Sequence, residues 1–116
     1  MHVTAFSPSN PASTAEELEY QLSITNAKLI ITHPVCLTTA RKAAKMHGLP
    51  ENYIILIQDD ETSPSGILSL DEIIRFGSTR RDNYRHVRLD AGEAKTSIAF
   101  FCFSSGTTGE FFLNMT

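Results

Sequence analysis

Two apolar runs in this chain are rich in β-branched residues and too short to be helices, and a segment with helical spacing precedes each of them. Ala27-Lys28-Leu29-Ile30-Ile31-Thr32 and Tyr53-Ile54-Ile55-Leu56-Ile57 read as buried strands. Before the first, Thr14 is an N-cap whose capping box closes on Glu17, and Leu18, Leu22 and Ile24 supply the inner face of a helix from about Ala15 to Thr25. Before the second, Val35, Leu37, Ala40, Ala43, Ala44 and Met46 share a helical face that Gly48 ends. Ser69 and Glu72 form another capping box, opening a short helix through Leu70, Ile73, Ile74 and Phe76 before Gly77, and the strand candidate Thr96 to Phe103 follows. Val3 to Phe6 is one more short strand, stopped by the turn residues Ser7-Pro8-Ser9-Asn10-Pro11. Strands alternating with helices imply right-handed β-α-β crossovers. The expected class is α/β, a partial, mainly parallel β-sheet with flanking helices.

Composition narrows the function classes. A hydrophobic share of 41% with 20% charged residues is that of a globular domain and argues against disorder. At 116 residues the chain fits one small domain with a modest core. The net charge of −3 provides no global cationic field for nucleic acid or an anionic membrane, so binding is left to local sites. The start Met1-His2-Val3-Thr4 lacks the basic and apolar regions of a secretory signal, and no apolar run reaches the roughly 20 residues that span a bilayer. The chain reads as intracellular. Cys36 and Cys102 lack C-x-x-C spacing, which indicates neither a metal site nor a disulfide framework; Cys102, inside an apolar run, reads as a buried small hydrophobe.

Chemistry concentrates at the end of the last apolar run, in Ser104-Ser105-Gly106-Thr107-Thr108-Gly109. Four hydroxyl residues and two glycines occupy six positions. Glycine lets backbone approach a ligand closely, and Ser and Thr hydroxyls can donate to phosphate oxygens. The spacing is neither G-x-x-x-x-G-K-[ST] nor G-x-G-x-x-G, so the readings as a P-loop or a dinucleotide fold are weak. On composition alone, a phosphate site and a plain polar turn after a core strand both fit.

The string FSSGTTG, with SPSNPASTAEELEYQL near the start and NAKLIITHP after it, resembles the adenylate-forming (AMP-dependent synthetase/ligase) superfamily in the order and spacing of its segments, from Val3 to Gly109. The likeness is greatest to the 4-coumarate–CoA ligase and acyl-CoA synthetase branch, as a piece of its large N-terminal domain. The resemblance implies that Ser104, Ser105, Thr107 and Thr108 face the β- and γ-phosphates of ATP, with Gly106 and Gly109 as the flexible backbone positions. It also implies ATP with Mg2+, coenzyme A as co-substrate, a carboxylic acid substrate, and a cytoplasmic or peroxisomal location. No family catalytic residue falls in this chain. Where the family loop continues with an apolar residue, proline, lysine and glycine, this chain has Glu110, Phe111, Phe112 and Leu113. Residues 1–109 are therefore expected to be a partial ligase domain and residues 110–116 a tail outside the family pattern. Family members carry a long segment before the first strand and further nucleotide-holding segments after the loop, so the chain is expected to be truncated at both ends and inactive alone. A parallel sheet cut from a larger domain exposes an edge through which copies could associate.

Other candidates read as structural. Arg80, Arg81, Arg85, His86 and Arg88 with Tyr84 form a basic cluster, but Asp82 and Asp90 interrupt it and a solvated connection fits better than a nucleic-acid surface. Asp59-Asp60-Glu61 lacks the D-x-[DN]-x-[DN]-G pattern of a calcium loop and reads as a hydrated turn. His33 has no nucleophile or carboxylate paired with it in sequence, which makes it a strand-end polar residue rather than a general base. Leu18, Leu22, Ile73 and Ile74 are expected in the core.

Overall fold

The computed structural model describes residues 5–58, 66–86, 88–105 and 111–115. The chain divides into two compact units, Pro11–Tyr84 and a second made of Met1–Asn10 with Arg85–Thr116.

The first unit opens with α1 (Ala15–Thr25), and both halves of its capping box are formed. The Glu17 N–H donates to Thr14 Oγ1 at 3.2 Å, and the Thr14 N–H donates to Glu17 Oε2 at 2.8 Å. The helix ends at Asn26, whose left-handed φ of 51° is accessible because asparagine tolerates that region. The Ala27 N–H then donates to the Leu22 carbonyl at 3.1 Å. That bond commits Ala27 to the helix cap, so β1 spans only Ile30–Thr32 instead of starting at Ala27. Ala15 and Leu22 are buried and Leu18 packs beside them. Ile24 does not join this face. It lies about 200° around the helix from Leu22 and is 41% exposed.

After β1, the His33 ring caps a 3-10 turn at Pro34–Cys36, its Nδ1 accepting from the Val35 N–H at 3.2 Å. The helix α2 (Leu37–His47) buries Leu37, Ala40, Ala43 and Ala44, and Gly48 closes it at φ 81°. Val35, held in the turn outside the helix, is 84% exposed, and Met46 points away from the buried face. Neither belongs to the core as expected from spacing. A second 3-10 turn, Glu51–Tyr53, leads into β2 (Ile54–Leu56).

β1 and β2 pair in parallel, with Ile30 opposite Ile54, Ile31 opposite Ile55 and Thr32 opposite Leu56. The parallel order expected from alternating strands and helices is present. One sheet face, Ile30, Thr32, Ile54 and Leu56, is buried with the helices in a core completed by Leu18, Ala27, Leu49 and Ile67. The other is not: Ile31 is 45% and Ile57 51% exposed. Beyond β2, the Leu56 N–H donates to the Leu68 carbonyl at 3.0 Å, and Leu56 and Ser69 form a parallel bridge.

Ser69 also caps α3 (Leu70–Ser78) through a complete box with Glu72. The helix runs through Gly77 instead of stopping before it, because the Ser78 and Thr79 hydroxyls donate to the Arg75 and Phe76 carbonyls of the last turn at 2.7 and 2.8 Å. No residue of α3 is buried. Ile73 is half-buried, while Ile74, expected in the core, is 58% exposed.

In the second unit, the segment at Phe6 runs parallel to the one at Phe100. The Phe6 N–H donates to the Ala99 carbonyl at 2.9 Å, the Phe101 N–H donates to the Phe6 carbonyl at 2.8 Å, and the two rings lie 6.1 Å apart. The strand β3 spans Phe101–Ser105 and not Thr96 to Phe103. Its start is delayed because the Thr96 and Ser97 N–H groups donate to the Glu93 carbonyl at 3.0 and 2.9 Å, holding a 3-10 turn over Glu93–Lys95. Val3 and Thr4 of the expected first strand lie outside the described residues. β3 pairs antiparallel with β4 (Phe111–Met115), so the segment after the hydroxyl-rich loop is a strand, which its composition had not indicated.

Candidate functional site

In the second unit, two neighbouring segments run in the same direction, and the later one leads into the hydroxyl-rich string. Phe6 and Phe100 pair in parallel, so Ser7-Pro8-Ser9-Asn10 leaves the first segment at the same sheet end to which β3 delivers Ser104 and Ser105. The carboxyl ends of parallel strands are where open α/β sheets bind ligands. Ser104 and Ser105 close β3 as strand residues, paired with Phe112 and Phe111 in the antiparallel ladder. The ladder therefore holds both ends of the five-residue connection together, Ser105 beside Phe111. Gly106, Thr107, Thr108 and Gly109, together with Glu110, lie outside the described residues. Sequence reading missed the hydroxyl of Ser7, which is buried without a hydrogen-bond partner where its segment leaves the sheet. Its sequence signals were membership of the turn string after Phe6 and the first position of the family-like string SPSNPASTAEELEYQL.

The remaining candidates are engaged in structure. His33 Nδ1 accepts from the Val35 N–H, which spends the lone pair a general base would use. His47 lies 3.8 Å from Glu19 Oε1 and 3.4 Å from Ser23 Oγ, between α1 and α2. The Arg80 guanidinium stacks 4.3 Å above the Phe76 ring. Cys36 and Cys102 are free and half-buried, so Cys102 is less enclosed than an apolar run suggests. Among the described residues no group of three or more His, Cys, Asp or Glu could hold a metal, and no helix is long and apolar enough to cross a membrane. The acidic run Asp59-Asp60-Glu61 lies outside the described residues.

A cleft of about 280 Å³ is lined by Arg41, Ala44, Lys45, Leu49, Glu51 and Ile54, with an Arg41–Glu51 ion pair at its rim. Ile54 is the first residue of β2, so this cleft opens at the amino end of that strand. That is the opposite end from the one parallel sheets use for ligands.

The AMP-binding enzyme family model matches residues 2–110. This chain belongs to the AMP-binding enzyme family. It is 35% identical over 101 residues to Acyl-CoA ligase AKT1 of Alternaria alternata, covering 86% of this chain and 18% of that protein. It is 37% identical over 100 residues to 4-coumarate–CoA ligase 3 of Arabidopsis thaliana, covering 86% of this chain and 16% of that one. Among solved structures, a luciferase-like enzyme from the nonluminescent mealworm Zophobas morio superposes with a TM-score of 0.61 at 18% identity, over 91% of this chain and 23% of its own. That likeness supports the fold. The chain spans less than a fifth of the length of these curated relatives. The family match takes in both the SPSN string that follows Phe6 and the FSSGTTG string.

Proposed function

We propose that this chain is part of an ATP-dependent acid–thiol ligase of the acyl-CoA synthetase or 4-coumarate–CoA ligase type. The observation that carries this is FSSGTTG at the end of β3, inside a family match whose relatives are named as acyl-CoA and 4-coumarate–CoA ligases. In such a reaction a carboxylate oxygen attacks the α-phosphorus of ATP and pyrophosphate leaves. The thiol of coenzyme A then displaces AMP from the acyl adenylate. The part assigned to this chain is to hold the departing phosphates: Ser104, Ser105, Thr107 and Thr108 offer hydroxyl donors, and Gly106 and Gly109 allow close backbone approach. Hydroxyl and amide donors fit a phosphate chain. Mg2+ would enter with the phosphates of ATP.

Alone, the 116-residue chain is proposed to be inactive. Residues 1–109 form a partial ligase domain and residues 110–116 a tail, with Glu110 where the family has an apolar residue and no lysine among the next three positions. A second reading, a non-catalytic α/β remnant with at most weak nucleotide or protein binding, is favoured by that same departure. The proposed setting is intracellular, cytoplasmic or peroxisomal, without nucleic acid. Self-association through the sheet edge is also proposed, since among the described residues β1 pairs only with β2.

Calorimetric ATP titration of the purified chain, followed by pyrophosphate release with carboxylic acids and coenzyme A, tests the assignment. Saturable ATP binding without release above blank is expected. Glu110→Leu should tighten that binding about fivefold, the equivalent of about 1 kcal/mol for two like charges 4 Å apart in water. Turnover above blank would end the claim of inactivity, and an absence of ATP binding would end the phosphate-site assignment.

A further inference from the structure

The cleft beside α2 belongs to the unit Pro11–Tyr84, whereas the hydroxyl-rich string belongs to the other unit, so the two are separate candidates for binding. Its shape follows from how α2 ends. Past Gly48 the Leu49 N–H donates to the Ala44 carbonyl at 2.8 Å, which turns the chain back, and the 3-10 turn Glu51–Tyr53 then brings Glu51 against Arg41. Arg41 and Lys45 stand one turn apart on α2, with Ala44 on the same side. Ala44 and Ile54 are 2% and 1% exposed, and with the half-buried Leu49 they form the apolar part of the lining.

The charged part of the lining is out of balance. Arg41, Lys45 and Glu51 are two cations and one carboxylate, a sum of +1. Glu51 pairs with Arg41, while Lys45 is exposed and has no ion-pair partner among the described residues. The Arg41 Nε is buried and, although the Glu51 carboxylate touches it, has no hydrogen-bond partner, because that oxygen lies off its N–H direction. A buried donor left unmade costs free energy that an incoming acceptor recovers.

We propose that this cleft binds a small carboxylate monoanion with a short apolar tail. Its carboxylate would lie between Lys45 and Arg41, and its tail on Ala44, Leu49 and Ile54. One negative charge neutralises the lining. A phosphate monoester, at about −1.5 to −2 near neutral pH, overshoots it. The volume of about 280 Å³ lies just under the roughly 300–1,000 Å³ of drug-sized sites and equals about nine waters at ~30 Å³ each, which sets the ligand at about nine non-hydrogen atoms. Hexanoate is of that size.

Titration of hexanoate into the nitrogen-15-labelled full chain, followed through amide chemical shifts, tests the site. Saturable shifts are expected at Lys45, Leu49, Glu51 and Ile54, with a dissociation constant on the order of 1 mM for so small a ligand. Lys45→Met keeps much of the aliphatic stem, removes the charge, and should weaken binding about fivefold. Glu51→Gln releases Arg41 from its competitor and should tighten binding by about the same factor. Both residues are exposed, so each variant should keep the parent amide spectrum away from the cleft. Hexylammonium, with the same tail and the opposite charge, should bind at least about fivefold more weakly, and hexyl phosphate no more tightly than hexanoate. An absence of saturable shifts at the four residues overturns the proposal, as does an affinity that neither variant changes. Hexylammonium binding as tightly as hexanoate would reduce the site to apolar contact, tighter hexyl phosphate would make it a phosphate site, and shifts confined to Phe101–Ser105 would move hexanoate to the other unit; each of these also overturns it.

Discussion

The Glu16 carboxylate accepts from the Lys42 ammonium at 2.9 Å, tying the first turn of α1 to the middle of α2. That hydrogen bond, helped by the Glu16 backbone N–H and by the Lys42 charge, holds the carboxyl below its ordinary value of 4.5. A carboxyl whose folded value is depressed stabilises the fold above its unfolded value, and that contribution fades as pH falls through the folded value. Lys42→Met should therefore flatten the dependence of melting temperature on pH below about 4.5 and lower the melting temperature only slightly at neutral pH, where screening by water limits an exposed pair. An unchanged acid slope would refute the pairing. At this scale the sequence was legible where chemistry is local: Thr14 with Glu17, Ser69 with Glu72, and Gly48 beyond α2 all stand where capping rules put them. Ile24, Val35, Met46 and Ile74 were misplaced because hydrophobicity says that a residue can be buried, while its angle on the helix and the presence of a neighbour decide whether it is.

Helices were read more accurately than strands. α1 spans Ala15–Thr25 as expected, since its cap box and its left-handed Asn26 act within a few residues. β1 and β3 begin late because preceding turns claim their first backbone groups, a competition that composition does not display. α3 shows what a cap does without packing. Ser69 is 2% exposed, and its hydroxyl both accepts from the Glu72 N–H at 3.3 Å and donates to the Glu72 carboxylate at 3.2 Å. Ser69→Ala should cost about 1 kcal/mol. With no buried residue in α3 to compensate, the loss should appear as faster amide exchange across Leu70–Ser78, with α1 and α2 unaffected. Equal acceleration in all three helices would show instead that α3 unfolds only with the core.

Among the described residues, the core of the unit Pro11–Tyr84 is one cluster of nine buried apolar residues, four of them alanines, drawn from two helices and two strands. So small a cluster gives each large side chain disproportionate weight. Leu56 is fully buried and its backbone joins β2 to the bridge at Ser69. Leu56→Ala should cost about 2–5 kcal/mol, a large share of the stability of a small domain. The urea midpoint should fall by a corresponding amount, and a shift below one-fifth of the parent midpoint would place Leu56 outside the unit's central packing. The sequence by itself determined the α/β class, the parallel order of the first two strands, the helix caps and the family, because periodicity, capping and the loop string are local and survive in any context. Tertiary structure decided which of the apolar residues are enclosed, where the strands begin, and that the chain runs from Phe6 into Ser7 in the same direction as β3 runs to Ser105. Those outcomes depend on which distant segments come to lie side by side. They leave an apolar face of the β1–β2 sheet open.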